Sequence, residues 1–305
     1  MGRRVAVTGA AGLIGGAVAA RLAAAGDEVL AVDVRPVRAA IPGTAWLAAD
    51  VRSDEFLAGL ARFRPDEVVH AAAHPGGRSL AEPATNVSVN AHGSMRLFEW
   101  CAEHDAAVTF LGSSVVYGVG DGRPLAEDAP LAPGTIYGVA KVACERWLAI
   151  LAEGRGLRWR VLRLFATYGA GHEPGLDQGI VNVMLTQLRR GTTVVVKGSP
   201  DRIRDMVHVD DAARMIHRAL DVPGSLGRIV NVGTGVGVRI GDLIAEIARQ
   251  LGRSAGDVVI DEQPGTVGDP RSNVADTTRM REMLGDECRI DIAEGLARTL
   301  VTLPA

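Results

Sequence analysis

Cysteine and aromatic side chains are scarce in this chain. Of 305 residues, three are cysteine (Cys101, Cys144, Cys288), and Phe, Trp and Tyr together make up 4%. Three thiols without a Cys-x-x-Cys pair argue against a disulfide framework, and with no secretory leader they fit a reducing cytoplasm. An excess of charge of one sign is also missing. The 33 Lys and Arg against 36 Asp and Glu leave a net charge of -3, so nucleic acid is not an expected partner. No apolar run reaches the length of a membrane span. His70, His74, His172 and His208 lack metal-ligand spacing and read as loop residues, so no metal is expected. The basic run from Arg155 to Arg163 reads as a solvated loop and strand edge, Arg163 apart. What is present is aliphatic: 47% hydrophobic residues with few aromatics imply a core of Ala, Val and Leu, in one large domain or two smaller ones.

Glycine is plentiful, and its placement near the N-terminus carries the most information. Val5-Ala6-Val7 stops at Thr8-Gly9-Ala10-Ala11-Gly12-Leu13-Ile14-Gly15-Gly16, and an Ala-rich amphipathic segment follows. That is a strand, a tight turn and a helix N-terminus, the arrangement that holds a dinucleotide pyrophosphate. Gly9 lets the chain turn, Gly12 lets backbone approach phosphate, and Gly15 lets helix pack on strand. Glu28 to Val32 reads as the next strand. Asp33 closes it about 20 residues after the turn, where an acid binds the adenosine ribose hydroxyls. A carboxylate there favours NAD over NADP, although Arg35 and Arg38 just beyond could pair with a 2′-phosphate.

Strand and helix patterns alternate from there. Ala45–Ala48, Glu67–His70, Val108–Leu111 and Arg160–Leu164 read as strands. Asp54–Phe63, Pro83–Glu103 and Tyr137–Ala152 read as helices. Repeated β–α–β units imply a Rossmann-type, doubly wound parallel α/β sheet over residues 1–167. Past Thr167 the pattern loosens into a glycine-rich loop from Gly169 to Gly179, a helix ending near Arg190, and a strand at Val194–Val196. A helix then begins around Val207–Asp211, with Asp210 or Asp211 as its cap. Residues 168–305 are expected to form a smaller C-terminal α/β substrate-binding lobe. A segment near 205–235 is expected to return to the first domain, with Arg228–Asn231 rejoining the sheet.

The chemistry concentrates on two segments. In Tyr137-Gly138-Val139-Ala140-Lys141, phenol and ammonium share a helix face, and a cation beside a phenol favours phenolate. Gly112-Ser113-Ser114-Val115-Val116-Tyr117-Gly118 closes the fifth strand, at the carboxyl end where open α/β sheets bind ligands. Ser113 or Ser114 there sits where a hydroxyl could meet the substrate oxygen that Tyr137 reaches. Turn capping by the serines and plain packing by Tyr117 are the alternatives.

With those residues in view, the chain resembles the extended short-chain dehydrogenase/reductase family, notably its nucleotide-sugar epimerases, over nearly its whole length. The resemblance rests on the Thr8–Gly15 turn, Asp33, Asp50-Val51, His70–Ala73, Asn90, the Ser113 segment, Tyr137 with Lys141, Arg163–Gly169 and Arg204–Asp211. It implies that Asp50 and Val51 flank the adenine, and that Ala71, Ala72, Ala73 and Asn90 line the cofactor with Gly9, Gly12, Leu13, Ile14 and Gly15. It also implies that Lys141 binds the nicotinamide ribose, that Ser113 is the active-site hydroxyl with Ser114 beside it, and that Arg204 contacts substrate phosphate. Relatives dimerise through two helices matching Pro83–Glu103 and Tyr137–Ala152, so a homodimer is expected. Leu97, Phe98, Trp100, Trp147, Leu148 and Leu151 on them could equally be core.

Three departures narrow the function. Ser114 and Val115 stand where the family's dehydratases carry acids after the catalytic hydroxyl, so water elimination is not expected. Ala166 replaces an Asn common in epimerases. The Arg usual before the Gly268-Asp269 pair is absent, with Arg271 nearby. The expected function is an NAD-dependent epimerase of a nucleotide-activated sugar, acting at C4 through a transient keto intermediate. The alternative is an NAD(P)-dependent sugar dehydrogenase or keto-sugar reductase with net hydride transfer.

Overall fold

Val5, Ala6 and Val7 are fully buried, which suits a strand covered on both faces. The computed structural model describes residues 2–36, 40–120, 122–171, 179–265 and 268–302. Arg38, His172 and part of the Gly169–Gly179 loop lie outside them. The chain runs β1 (Arg4–Thr8), α1 (Leu13–Ala24), β2 (Glu28–Asp33), β3 (Thr44–Ala48), α2 (Asp54–Phe63), β4 (Glu67–His70), α3 (Pro83–Val87), α4 (Ser94–Glu103), β5 (Ala107–Ser113), α5 (Ile136–Arg155) and β6 (Trp159–Leu164). It continues as β7 (Ala166–Tyr168), α6 (Ile180–Arg190), β8 (Thr193–Lys197), β9 (Ile203–His208), α7 (Val209–Asp221), β10 (Ile229–Val232), β11 (Gly237–Arg239), α8 (Ile240–Gln250), β12 (Val259–Gln263), β13 (Ser272–Asn273), α9 (Thr278–Leu284) and α10 (Ile292–Thr302).

Seven strands form one parallel sheet in the order β10-β6-β5-β4-β1-β2-β3. The chain leaves β1 toward β2 and β3, then crosses back to β4 on the other side. That reversal opens a crevice at the carboxyl ends of β1 and β4, where Thr8 and His70 stand opposite each other. One face of the sheet packs Phe56, Leu60, Leu97, Phe98 and Leu148; the other packs Val18, Leu22, Met215 and Ile216. The strand at Arg228–Asn231 does rejoin this sheet, as β10 beside β6. A second, four-stranded sheet joins β7, β9, β11 and β13, and β8 pairs with β12.

Four expectations need correcting. The cap of α7 is His208, whose ring accepts from the Asp210 N–H (3.3 Å). β9 runs on to His208, which leaves Asp210 and Asp211 in the helix's first turn, where carboxylates suit the dipole. His70 and His208 are buried strand-end residues, not loop residues. Within the basic run, Arg160 is buried beside Glu67 and Thr109. Arg163, also buried, pairs with Glu145, so these strand positions are not solvated. The helix expected over Pro83–Glu103 is interrupted by a π-helical segment at Ser88–Gly93. Leu97, Phe98, Trp100 and Leu148 prove to be core, with Trp147 and Leu151 half-buried against it.

Candidate active site

The turn after β1 is built for close backbone approach. Gly9 has φ 72°, and a Cβ there would lie 2.7 Å from the Ala72 nitrogen. A Cβ on Gly15 would overlap the Gly9 carbonyl oxygen, so α1 packs onto the turn only with glycine. Gly12 caps α1 without a side-chain hydrogen bond, leaving the first-turn N–H groups of Leu13, Ile14 and Gly15 for an anion.

Beside this turn lies a cleft of about 540 Å³. Gly9, Gly12, Asp33, Asp50, Val51, Ala71, Ala72 and Ala73 all line it. Eight predicted cofactor residues, scattered over the first three β–α–β units, are thus brought to one place. The glycine cradle, the uncapped helix and an acid at the end of β2 fit a dinucleotide. Leu13 faces a neighbouring groove instead, with Gly12, Gly171 and His208. Asn90 acts at one remove: its side chain accepts from the His74 N–H (2.7 Å) and donates to the His74 carbonyl (3.0 Å), and His74 lines the cleft.

A buried hydrogen-bond chain crosses the crevice below the Ala71–Ala73 loop. Ala72 N–H donates to Thr8 Oγ1 (3.1 Å), Thr8 lies 2.8 Å from His70 Nδ1, and His70 Nε2 lies 3.0 Å from Ser94 Oγ. Ser94 donates onward to the Asn90 carbonyl (2.7 Å), within the π-helical segment. With Ser94 donating onward and Thr8 already accepting, the chain is satisfied by a neutral His70 that accepts at Nδ1 and donates from Nε2. Burial, and secondarily the nearby Lys141 charge, push His70 down to about 3.

Tyr137 and Lys141 open α5, whose buried stripe continues through Cys144, Glu145 and Leu148. Thr135 caps the helix by accepting from the Gly138 N–H (3.0 Å). Lys141 is buried, donates to the Leu111 carbonyl (2.7 Å) on β5, and lies 5.5 Å from the Tyr137 ring centre. The Tyr137 ring borders Gly76, one residue past cleft-lining Pro75; a Cβ on Gly76 would lie 3.3 Å from it. Ser113 ends β5 two residues beyond Leu111, and its hydroxyl sits 3.5 Å from the Val115 N–H, so it also caps the turn that follows. Tyr117 does more than pack: it donates to Asn231 (2.6 Å) and accepts from Arg163 (2.8 Å).

Arg204 on β9 is paired with Asp269 (2.5 Å), which also binds Arg202. Burial, then repulsion by Arg202, push the Arg204 guanidinium down to about 10. Two contacts tie this cluster to the Tyr137 region. Asn273, the register partner of Arg204, donates to the Ser114 carbonyl (3.3 Å), and Gly268 abuts Gly134 just before the α5 cap. Arg202, Arg271 and Asp269 line a pocket of about 360 Å³. The role of Arg202 was missed in the sequence; its pairing with Asp269 spans 67 positions. The Arg52 pairing with Asp50 was also missed, although Asp33-x-Arg35 and Asp50-x-Arg52 repeat one local pattern that could have shown it.

A doubly wound sheet with a glycine cradle, a strand-end acid and a Tyr-x-x-x-Lys helix beside one cleft defines an extended short-chain dehydrogenase/reductase. More narrowly, the chain belongs to the NAD dependent epimerase/dehydratase family, whose sequence profile matches residues 5–233. It is 33% identical over 314 aligned positions to a UDP-glucose 4-epimerase of Mycolicibacterium smegmatis, covering 97% of each chain. The structure of UDP-glucose 4-epimerase from Thermotoga maritima with UDP-glucose superposes with a TM-score of 0.91 at 28% identity, over 98% of this chain and 97% of that one. MoeE5 in complex with UDP-glucose and NAD gives 0.89 at 31% identity, over 98% and 97%.

Proposed function

We propose that this chain epimerises a nucleotide-activated hexose at C4, with NAD as a resident cofactor. The observation that carries the reading is the Lys141 ammonium, held by the Leu111 carbonyl on the strand that ends at Ser113 and 5.5 Å from the ring centre of Tyr137, whose ring borders Gly76 next to cleft-lining Pro75. Relatives that act on or bind UDP-glucose support the substrate class. Asp33 would hold the adenosine ribose, Asp50 and Val51 the adenine, and Lys141 the nicotinamide ribose. NAD, when bound, supplies a hydride acceptor that can give the hydride back.

The protein's part is position and proton transfer. Tyr137 takes the C4 hydroxyl proton on its phenolate oxygen as C4 becomes a carbonyl, and Ser113 donates a hydrogen bond to that carbonyl. The keto sugar turns over in the site, and Tyr137 returns the proton once the opposite face has been reduced. Arg204, with Arg202 beside it, holds the diphosphate. No carboxylate follows Ser113, where Ser114 and Val115 stand, so elimination of water has no acid–base pair.

Residues 1–167 with the returning strand β10 would form the cofactor domain, and 168–305 the substrate lobe. The three cysteines are unpaired and no helix among the described residues is long and apolar enough to cross a membrane; both fit a cytoplasmic enzyme. A homodimer through the helices of Pro83–Glu103 and Tyr137–Ala152 is supported by the half-exposed Val87, Val139 and Ile150 on those segments.

The deciding experiment incubates UDP-glucose, UDP-galactose and their uronic acid counterparts separately with the purified chain, without added cofactor, and resolves the products by chromatography. A C4 epimer formed without net NADH supports the reading. Product formed only with added NAD, in step with NADH, replaces it with the dehydrogenase.

A further inference from the structure

Asp33 and Arg35 form an ion pair on the wall of the cleft. Asp33 is buried; its Oδ1 accepts from the Arg35 backbone N–H (2.9 Å) and Nε (3.1 Å), and Oδ2 accepts from Ala11 N–H (3.0 Å) with Arg35 Nη2 at 3.4 Å. A Cβ on Gly12 would lie 3.7 Å from the same Nη2, so the guanidinium rests against the glycine turn. The arrangement recurs one strand on, where Asp50 accepts from the Arg52 backbone N–H (2.9 Å), Nε (2.9 Å) and Nη2 (2.6 Å). With Arg78, the described cleft wall holds three guanidinium groups against two carboxylates.

A strand-end acid selects NAD by repelling a 2′-phosphate and by accepting from the ribose hydroxyls. Here that charge is matched at contact distance, and the more exposed member of the pair is the cation: the Arg35 side chain is 45% exposed and that of Asp33 5%. A guanidinium presents parallel donors to phosphate, whereas a bare carboxylate offers only repulsion. We propose that Arg35 sets cofactor selectivity in this chain, neutralising Asp33 so that the site takes the 2′-phosphorylated dinucleotide NADP as well as NAD. In the NADP complex the phosphate pairs with Arg35 while Asp33 keeps its bond from Ala11. The proposal rests on the reading of the cleft as a dinucleotide site.

The test is equilibrium binding to the full chain, its resident cofactor exchanged out, with Kd for NADH and NADPH read from nicotinamide fluorescence. In the native chain NADPH binds within about tenfold of NADH, and Arg35→Ala raises the NADPH-to-NADH Kd ratio by about tenfold or more, through NADPH. Arg35→Gln, which keeps the side-chain length, moves the ratio the same way and covers a failure of Arg35→Ala to fold. Native chain that binds NADH but excludes NADPH, or a ratio that moves less in the variants, overturns the proposal and leaves the epimerase reading intact. Failure of both nucleotides to bind overturns the proposal and the epimerase reading together.

Discussion

The Lys141 ammonium is tied to the Leu111 carbonyl at 2.7 Å and lies 5.5 Å from the ring centre of Tyr137, one helical turn earlier. Strand β5 therefore fixes the cation, and the cation's place fixes what the phenol faces. Tyr137→Phe keeps the ring and removes only the oxygen, so turnover should fall by about 10²–10⁴ while cofactor retention stays. Lys141→Met keeps an apolar stem beside Phe110 but loses the charge and, on the proposed reading, the donor to the nicotinamide ribose. It should lower turnover and also weaken cofactor retention, measured as NAD released from heat-denatured protein.

The buried His70 makes stability depend on pH. Its pKa lies at about 3 when folded, against about 6.5 for a free histidine. The unfolded chain therefore binds the extra proton first as pH falls. The stabilisation is complete above about 6.5 and is lost progressively toward about 3, at up to about 1.4 kcal/mol per pH unit. Urea melts at stepped pH should show this slope in the native chain and a flatter one in His70→Asn. Equal slopes would mean that the loss on acidification comes from other groups.

The sequence made the sheet readable because its strands end at markers: Thr8 before glycine, Asp33, His70, Ser113. The bounds of α2 and β4 came out residue for residue, since Ser53 caps the helix and Arg64 closes it in a left-handed conformation. What stayed hidden was charge burial. Arg160 looks solvated along the chain because its partner Glu67 lies 93 positions away, and the Glu145 partner of Arg163, 18 positions off, is no easier to see. The His208 cap was hidden by the more usual capping residues that follow it. The π-helical segment leaves no periodic signature, yet it sets Ser94 against the Asn90 carbonyl and so completes the hydrogen-bond chain under the cofactor loop.

Val139 and Ile150 are 55% and 62% exposed on α5, and Val87 is 50% exposed on α3, which packs beside it. If two copies meet there, Ile150→Glu places a charge in the joint. Sedimentation velocity at micromolar protein should show a dimer for the native chain and a monomer for the variant, with unchanged circular dichroism. A native monomer would remove the dimer from the account.

Glu145 and Arg163 pair in the core at 2.7 and 3.0 Å, and Arg163 also donates to the Tyr117 hydroxyl (2.8 Å) and the Glu127 carbonyl (3.0 Å). Gly112 lies between them on β5: a Cβ there would stand 3.1 Å from Glu145 Oε1 and 3.2 Å from Arg163 Cγ. Glu145 sits one turn past Lys141 on the same face of α5, so the pair locks the catalytic helix in register against β5 and β6. Glu145→Gln leaves a buried guanidinium without its counter-charge and should cost about 3–5 kcal/mol in chemical denaturation. Replacing both partners, Glu145→Leu with Arg163→Met, removes the unpaired charge and should recover most of that loss. The double variant should nonetheless turn over substrate more slowly than the native chain, because the directional tie from α5 to β6 is then lost and the Lys141 bond to Leu111 is left to hold the helix alone. Full recovery of both stability and turnover would show that packing alone sets the register of α5.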